Sequence, residues 1–289
     1  MNKKMPVLFT FDLDGETLWR CRDPENANRP VTLSQGRYGP EAGMPRILKM
    51  LKNHGLHATF FVPGFTADQY QDLMRQITAE GHEIGNHGWT HTYPDNMGGY
   101  EAEKKEYWDC SDFIEKLLGF RPRGYRSPGW EFSPYSLDIL EDMAEIEYSS
   151  NMMDSDKIKY LEYGGRKTGL VEIPIHWVLD DAAYWLYSLR TPGKAIQPLE
   201  AVENYWRAEF DALLEEFIEE VETEGDSDIC YVLTCHPQII GRPARMKMLD
   251  RLVDHMLGTG CVEFMTGIEA ATRFKDKHRK AASVESAVE

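Results

Sequence analysis

The sequence predicts a distorted (β/α) barrel of seven to eight parallel strands, and two observations carry this prediction. Short apolar, β-rich segments alternate with amphipathic helical segments along the whole chain, which is the pattern of a parallel sheet. The 289 residues and the 42% hydrophobic content suffice for one barrel with a large buried core. We therefore expect one domain over residues 1–274 and a polar, disordered tail over residues 275–289.

The predicted elements follow from hydrophobic periodicity and from helix-end residues. The strands are predicted at residues 7–11, 58–62, 82–86, 124–126, 147–150, 170–175, 229–234 and 261–265. The clearest helix covers residues 199–224, where an apolar stripe lies opposite an acidic face. Further helices are predicted at residues 45–54, 66–81, 100–118, 133–144 and 245–257.

Composition excludes several classes of function. The formal net charge of −16 argues against binding to a phosphate backbone or to an anionic membrane surface. The first residues lack the apolar segment of a signal peptide, and the five cysteines contain no C-x-x-C pair. We therefore expect a cytoplasmic protein with a small-molecule substrate and with no nucleic-acid or membrane partner.

Side chains suited to metal binding and proton transfer follow three of the predicted strands. Asp12 and Asp14 follow the first strand, His87 and His91 the third, and His236 the seventh. Because the carboxyl ends of barrel strands meet at one face, we expect one shared site. One aspartate with two histidines suits Zn²⁺, and equally Fe²⁺, Co²⁺ or Mn²⁺, with coordination positions left open.

The residues alone leave the individual roles open. Alternate strand residues share a face, so Asp12 and Asp14 point the same way, and a cation relieves their repulsion. One of them then binds the metal and the other acts as a base. His91 lies four residues after His87, a spacing at which two imidazoles meet on one side of a helix. His236 is a third ligand, a core histidine or a general acid.

Four segments, in order, resemble the motifs of the polysaccharide deacetylases, the NodB-homology group. They are Phe-Asp-Leu-Asp-Gly at 11–15, Asn-His-Gly-Trp-Thr-His at 86–91, Tyr-Arg-Ser-Pro-Gly-Trp at 125–130 and Leu-Thr-Cys-His-Pro at 233–237. The resemblance extends over residues 7–274. It implies a distorted β/α barrel and metal-dependent hydrolysis of a carbon–nitrogen amide bond.

The resemblance also implies a role for each matching residue. Three residues match the metal ligands of the family: Asp14, His87 and His91. Three others match its catalytic groups: the base Asp12, the arginine Arg126 that orients this base, and the acid His236. In the mechanism that follows, a backbone N–H group within residues 125–127 helps to stabilise the tetrahedral oxyanion.

One departure from the usual motif narrows the resemblance. The family commonly has adjacent aspartates, whereas Leu13 separates them here. Together with residues 171–177 and 179–181, this spacing resembles a cytosolic subgroup of peptidoglycan-deacetylase-like proteins, cyclic imide hydrolases and allantoinase-like proteins. Either Asp180 or Asp181 is expected to orient His236 or Arg126, unless both are only turn or cap residues. The metal-free allantoinase-like branch lacks the full ligand set, which this chain keeps.

The expected substrate is a small soluble amide. Four tryptophans lie within a few residues of the motifs, which predicts a narrow aromatic pocket: Trp19, Trp89, Trp130 and Trp177. The apolar segment 180–198 is expected to form a lid or a contact between the subunits of a homo-oligomer. We expect hydrolysis of a cyclic imide or ureide ring. The alternative is N-deacetylation of an N-acetylated sugar or peptidoglycan fragment by the same residues.

Overall fold

A computed structural model describes residues 3–187 and 195–285. Within these ranges the chain forms one sheet of nine strands surrounded by helices. The strands are β1 (Met5–Asp12), β2 (Thr59–Val62), β3 (Glu83–Asn86), β4 (Gly124–Tyr125), β5 (Tyr148–Ser149), β6 (Lys159–Tyr163), β7 (Arg166–Glu172), β8 (Tyr231–Cys235) and β9 (Val262–Phe264).

The sheet confirms the predicted distorted barrel. Its order is β6-β7-β5-β4-β3-β2-β1-β8, and β9 pairs with the start of β1. Every pair is parallel except β6 with β7. A parallel bridge between Asp180 and Thr234 links the segment after β7 to β8, so the sheet curls round on itself. All eight predicted strands are present, and their carboxyl ends lie at one face.

Strand β6 was missed because it does not resemble a buried strand. Of its five residues only Leu161 is buried, and the strand lies at the edge of the sheet. It forms an antiparallel hairpin with β7 through Gly164 and Gly165, whose φ angles are +59° and +79°. A Gly-Gly pair with these angles suits a tight hairpin turn, so this dipeptide was the available indication.

Twelve α-helices lie in the described residues, together with short 3₁₀ turns and a π-helical turn at Gly39–Gly43. The helices are α1 (Thr17–Arg20), α2 (Pro30–Tyr38), α3 (Met44–His54), α4 (Gly64–Gln69), α5 (Gln71–Ala79), α6 (Tyr100–Leu118), α7 (Ser136–Asp142), α8 (Asp181–Trp185), α9 (Leu199–Glu224), α10 (Pro237–Ile240), α11 (Pro243–Gly258) and α12 (Gly267–Glu285). None of these helices is long and apolar enough to cross a membrane.

The core lies between the sheet and these helices. In α9 the predicted apolar stripe is confirmed, because Val202, Trp206, Phe210 and Phe217 are all buried while the opposite face is acidic. Burial of such aromatic side chains contributes roughly 1.5–3 kcal/mol each.

The helix predicted at 66–81 is two helices, because the chain breaks at Tyr70, where φ is −125° and ψ is +46°. Thr66 lies inside α4, which starts at Gly64, instead of at the predicted start of a helix. Its hydroxyl donates a 2.6 Å hydrogen bond to the carbonyl oxygen of Asp14. This contact ties α4 to the loop after β1, which carries a predicted metal ligand.

The predicted disordered tail is largely helical. Helix α12 continues through Glu285, and residues 286–289 lie outside the described part of the chain. Three contacts hold the first part of this polar segment on the body of the protein. Lys277 and His278 both pair with the carboxylate of Asp228, and the His278 ring lies 4.2 Å from that of Phe274.

Candidate active site

The three predicted metal ligands converge on one point at the carboxyl ends of β1 and β3. The Oδ1 atom of Asp14 lies 3.5 Å from Nε2 of His87 and 3.4 Å from Nε2 of His91. All three side chains are buried. Asp14 Oδ1 has no hydrogen-bond partner within the described residues, although it is fully buried. A buried carboxylate oxygen facing two imidazole nitrogens fits a divalent metal ion.

The two histidines lie in a loop rather than on the helix that their spacing suggested. Residues 87–93 are irregular, with left-handed backbone at Gly88 (φ +70°) and at His91 (φ +63°). His87 Nδ1 lies 2.7 Å from the carbonyl oxygen of Arg126, so this nitrogen donates and leaves the Nε2 lone pair free. Nδ1 of His91 lies 3.4 Å from the sulfur of Cys21.

Asp12 is held through one of its two oxygens. The guanidinium of Arg126 donates a 2.8 Å hydrogen bond to Asp12 Oδ1, and both side chains are buried. Arg126 is fixed by three further hydrogen bonds, to the carbonyl and the hydroxyl of Ser150 and to the hydroxyl of Thr10. The other oxygen, Asp12 Oδ2, lies 3.4 Å from the indole nitrogen of Trp130 and 4.0 Å from Nε2 of His236. The arrangement leaves Oδ2 directed at the centre of the site.

The structure distinguishes Asp180 from Asp181. Asp181 Oδ1 lies 2.7 Å from Nδ1 of His236, and the Asp181 carboxylate also accepts the backbone N–H of His236 at 3.0 Å. Asp180 lies 3.4 Å from the same Nδ1 and accepts the backbone N–H of Ala182, so it also caps α8. Neither carboxylate pairs with Arg126 in the described part of the chain. Asp181 is therefore the main orienting group of His236.

Burial and charge move the pKa values of these groups in different directions. Burial lowers the pKa of His91 to about 4, so its imidazole is neutral and able to bind a metal. Although burial opposes it, the imidazoles of His91, His87 and His236 hold the pKa of Asp14 well below its usual value.

Around His236 the pKa values are raised instead of lowered. Burial raises the pKa of Asp180 to about 7, with Asp181 adding to the rise. Although burial opposes protonation of His236, Asp180 and Asp181 raise its pKa well above the usual value. The two neighbouring carboxylates therefore favour the protonated form of His236.

Two of the four predicted tryptophans lie at the site. Trp130 reaches Asp12, and its ring stacks on that of Trp177 with centroids 4.1 Å apart. Trp177 is 46% exposed, so this pair presents an aromatic face to solvent beside the catalytic groups.

The other two tryptophans differ in their positions: Trp89 lies away from the site, whereas Trp19 lines a cavity next to it. Trp89 packs against Phe113 of α6, with ring centroids 5.6 Å apart, and against Gly64 of α4. Trp89 therefore belongs to the packing between two helices. Trp19 is buried and lines a cavity beside the site. Tryptophans near a motif in sequence face different ways because the motif loops turn sharply.

The predicted backbone donors for the oxyanion are occupied. The N–H of Arg126 donates to the carbonyl of Asn86, and the N–H of Ser127 donates to Oδ1 of Asn151 at 2.7 Å. Asn151 is itself held by Glu172, which accepts the backbone N–H of Asn151 at 2.6 Å. The N–H groups of Arg126 and Ser127 therefore hold the site together rather than face a substrate.

Sequence reasoning also missed several residues that contact the candidate catalytic groups and metal ligands. Ser150 holds Arg126, and Cys21 contacts His91. The side-chain amide of Gln238 donates to Asp14 Oδ2 at 3.3 Å. Gln238 follows His236 by two residues, so its place beside a motif was the available indication.

The segment predicted as a lid or subunit contact is partly packed in the core. Trp185 is buried, its ring lies 5.7 Å from that of Trp206, and its indole N–H donates to the carbonyl of Gln197. Residues 188–194 of this segment lie outside the described residues.

Comparison with known proteins agrees with this geometry. Residues 37–148 match the family model described as polysaccharide deacetylase. A Helicobacter pylori peptidoglycan deacetylase is 27% identical over 95% of this chain and 97% of its own length. The solved structure of PuuE allantoinase shares the fold, with a TM-score of 0.78 at 19% identity over 94% of this chain and 91% of that one.

A solved Mycobacterium smegmatis structure, assigned to the polysaccharide deacetylases, has a TM-score of 0.84. It is 31% identical, and the match covers 96% of this chain and 92% of that one. Similarity of this extent in both sequence and structure comes from common descent rather than from the fold alone. The chain therefore belongs to the polysaccharide deacetylase family, metal-dependent enzymes that hydrolyse carbon–nitrogen amide bonds.

Proposed function

We propose that the protein is a metal-dependent N-deacetylase that removes the acetyl group from an N-acetylated amino sugar. The similarity to the Helicobacter pylori peptidoglycan deacetylase, over nearly the full length of both chains, supports this proposal most directly. The allantoinase structure shares the fold at lower identity, so it does not support ring opening in the same way. The N-deacetylase, which the sequence suggested as the alternative, is therefore the first candidate, and ring opening is the second.

In this proposal Asp14, His87 and His91 hold one Zn²⁺ ion, because two imidazoles and a carboxylate are ligands that zinc prefers. A bound ion of this kind polarises an amide carbonyl and lowers the pKa of water toward about 7. The hydrogen bond from His87 Nδ1 to the Arg126 carbonyl fixes the ring in the tautomer that binds through Nε2.

Asp12 serves as the base in this proposal. Its Oδ1 atom is engaged by Arg126, and its Oδ2 atom points into the site, so Oδ2 takes the proton of the attacking water. Arg126 keeps the Asp12 carboxylate in one orientation because the other two guanidinium nitrogens are hydrogen-bonded to Ser150. This pairing also favours the ionised, proton-accepting form of Asp12 before the reaction.

His236 serves as the acid. Its Nε2 atom lies 3.8 Å from Asp14 Oδ2 and faces the same space as Asp12, so it delivers a proton to the leaving nitrogen. Asp181 holds the Nδ1–H, which keeps the ring oriented and stabilises the imidazolium before transfer. The acid and the base therefore lie next to each other, with 4.0 Å between His236 Nε2 and Asp12 Oδ2.

Ring opening of a cyclic imide remains the second candidate, and burial of the site favours it. Asp12, Asp14 and His91 are at most 3% exposed, and His236 is 7% exposed. A site this enclosed suits a small planar ring held against the Trp130 and Trp177 pair.

One substrate panel separates the two candidates. The zinc-loaded protein is assayed on N-acetylglucosamine oligomers, N-acetylmuramic-acid-containing glycans, succinimide-like rings and allantoin. We expect free amine and acetate from an amino sugar, with kcat/KM above that for any ring. Turnover of the rings with no acetate release from any sugar would overturn the proposal and favour the imide hydrolase.

A further inference from the structure

A cavity of about 510 Å³ lies beside the candidate metal centre. Its walls include Trp19 of α1, Trp185 of α8, and Arg242 and Arg245 at the start of α11. Gln238 also lines this cavity, and the same side chain donates to Asp14 Oδ2. The Gln238 side chain therefore lies between the cavity and the predicted metal ligands, which places the cavity directly next to the candidate metal centre.

The two arginines of this cavity have no carboxylate partner in the described part of the chain. The Arg242 guanidinium lies over the ring of Tyr38, 3.5 Å from its centroid. Arg245 lies over the ring of Trp185 at 4.7 Å and donates one hydrogen bond to the carbonyl of Ile239. By contrast, Arg121 pairs with three carboxylates on the surface. In a chain with 48 acidic and 32 basic residues, two unpaired arginines lining one cavity need an explanation.

Charge and burial make an anion favourable at this place. Burial lowers the pKa of Arg245, and the charge of Arg242 lowers it further, whereas Asp181 acts in the opposite sense. The Asp181 carboxylate is engaged by His236, so it does not form an ion pair with Arg245. Helix α11 starts at Pro243, and its first N–H groups have no side-chain cap, which adds positive potential at the same edge.

We propose that this cavity is a subsite for a carboxylate group of the substrate. The inference rests on the proposed function and narrows its substrate class to an N-acetylated amino sugar that carries a carboxylate near its acetamido group. Guanidinium groups bind carboxylates through paired, charge-assisted hydrogen bonds. The rings of Trp19 and Trp185 supply apolar walls for the carbon skeleton that bears the acid.

The test compares two acetylated substrates that differ in charge. An N-acetylmuramic acid glycan carries a lactyl carboxylate beside the acetamido group, and an N-acetylglucosamine oligomer of equal length is neutral. We expect the zinc-loaded wild type to have a higher kcat/KM for the N-acetylmuramic acid glycan than for the neutral oligomer. Arg245→Gln and Arg242→Gln should each raise KM for the acid by roughly tenfold or more, the value of a lost charge-assisted hydrogen bond, with kcat little changed.

Three controls make this test decisive. The same variants should leave kcat/KM for the neutral oligomer within about twofold, and Arg245→Lys should restore part of the affinity. Arg251 is an exposed arginine of α11 that pairs with Glu203, so Arg251→Gln should leave kcat/KM unchanged for both substrates. Because Arg245 also contacts Trp185, the exposed Arg242→Gln variant keeps the test valid if Arg245→Gln does not fold.

A binding experiment separates failure of the subsite from failure of the proposed function. Calorimetric titration of N-acetylmuramic acid and of N-acetylglucosamine into metal-free protein needs no turnover. Preferential binding of the acid, lost in Arg242→Gln, supports the subsite even if no sugar is deacetylated. Equal binding of both sugars, equal effects of the variants on both substrates, or equally strong competition by inorganic phosphate would overturn the carboxylate assignment.

Discussion

At the scale of single residues, the backbone is strained where the candidate catalytic groups lie. His91 and Trp130 have φ angles of +63° and +59°, and no other non-glycine residue in the described ranges has a positive φ. Such a conformation costs roughly 1–2 kcal/mol for a residue with a Cβ atom. One of the two residues is a predicted metal ligand, and the other donates to the predicted base. Strain retained at these two positions is consistent with selection for the site rather than for stability.

The two aspartates of the first motif are predicted to respond differently to loss of charge. Asp12→Asn should keep the metal but lower kcat by roughly 10²-fold or more, because a positioned base is lost. Asp14→Asn should lose the metal, since its Oδ1 atom faces both imidazoles. Elemental analysis of both purified variants, with assays in parallel, checks this. A metal-free Asp12→Asn protein would require the two roles to be exchanged.

Cys21 is predicted to strengthen metal binding through His91. Its thiol donates to the carbonyl of Leu18, and its sulfur lies 3.4 Å from Nδ1 of His91, so it accepts the Nδ1–H when Nε2 binds a metal. Cys21→Ala should weaken zinc binding by about 10- to 100-fold, the usual effect of removing such a partner. Competition with a chromogenic chelator measures this. Cys261→Ala is the matched control, and equal affinities of all three proteins would contradict the role.

At the scale of elements, two helices hold the loop that carries both predicted histidine ligands. The first N–H groups of α4, from Gly64 and Phe65, donate to the carbonyls of Gly88 and Trp89. On the other side, the Glu106 carboxylate of α6 accepts the backbone N–H groups of Trp89 and Thr90. The loop is therefore hydrogen-bonded to two helices at once, which explains how an irregular segment keeps a fixed shape.

Glu106 is predicted to matter for the metal site although it does not touch it. Glu106→Ala leaves two backbone N–H groups without their partner, which costs roughly 1–3 kcal/mol of unfolding free energy and loosens the loop. We expect lower stability in urea and weaker zinc binding. Glu106→Gln keeps one acceptor oxygen and should recover most of both. Glu101→Ala, in the exposed first turn of α6, controls for helix propensity; a loss as large as that of Glu106→Ala would reject the loop explanation.

At the scale of the whole molecule, the sequence predicted the barrel because parallel strands are buried and therefore apolar. The exposed strand β6 lacks that pattern and was missed. Residues 12, 14, 87, 91, 126 and 236 were found because each lies at a strand end within a recognisable motif. The cavity arginines were not found, because Arg242 and Arg245 meet Trp19 only through the closure of the barrel. Local patterns thus predict elements and motifs, whereas contacts between distant elements follow from the fold.

The last prediction concerns the stability of the fold against acid. His82, next to β3, is 6% exposed, accepts the N–H of Ala58, and has no partner for Nε2 in the described residues. Burial lowers the pKa of His82 from its usual 6.5 to about 4, and the neighbouring His57 adds to this. Above pH 6.5 the residue is neutral in both the folded and the unfolded state. Between pH 6.5 and 4 only the unfolded chain takes up the proton, so His82 lowers the unfolding free energy as the pH falls.

This contribution is measured by urea unfolding of metal-free protein at several pH values between 4 and 8. One proton taken up on unfolding corresponds to a slope of at most about 1.4 kcal/mol per pH unit. His82→Gln removes the titrating group, so its profile should be flatter than that of the wild type below pH 6.5. At pH 8 His82 is neutral in both states, so the difference between the unfolding free energies of the two proteins at this pH reports packing alone. This difference serves as the internal reference. Profiles that fall in parallel from pH 6.5 to 4 would mean that the folded protein also accepts the proton at His82.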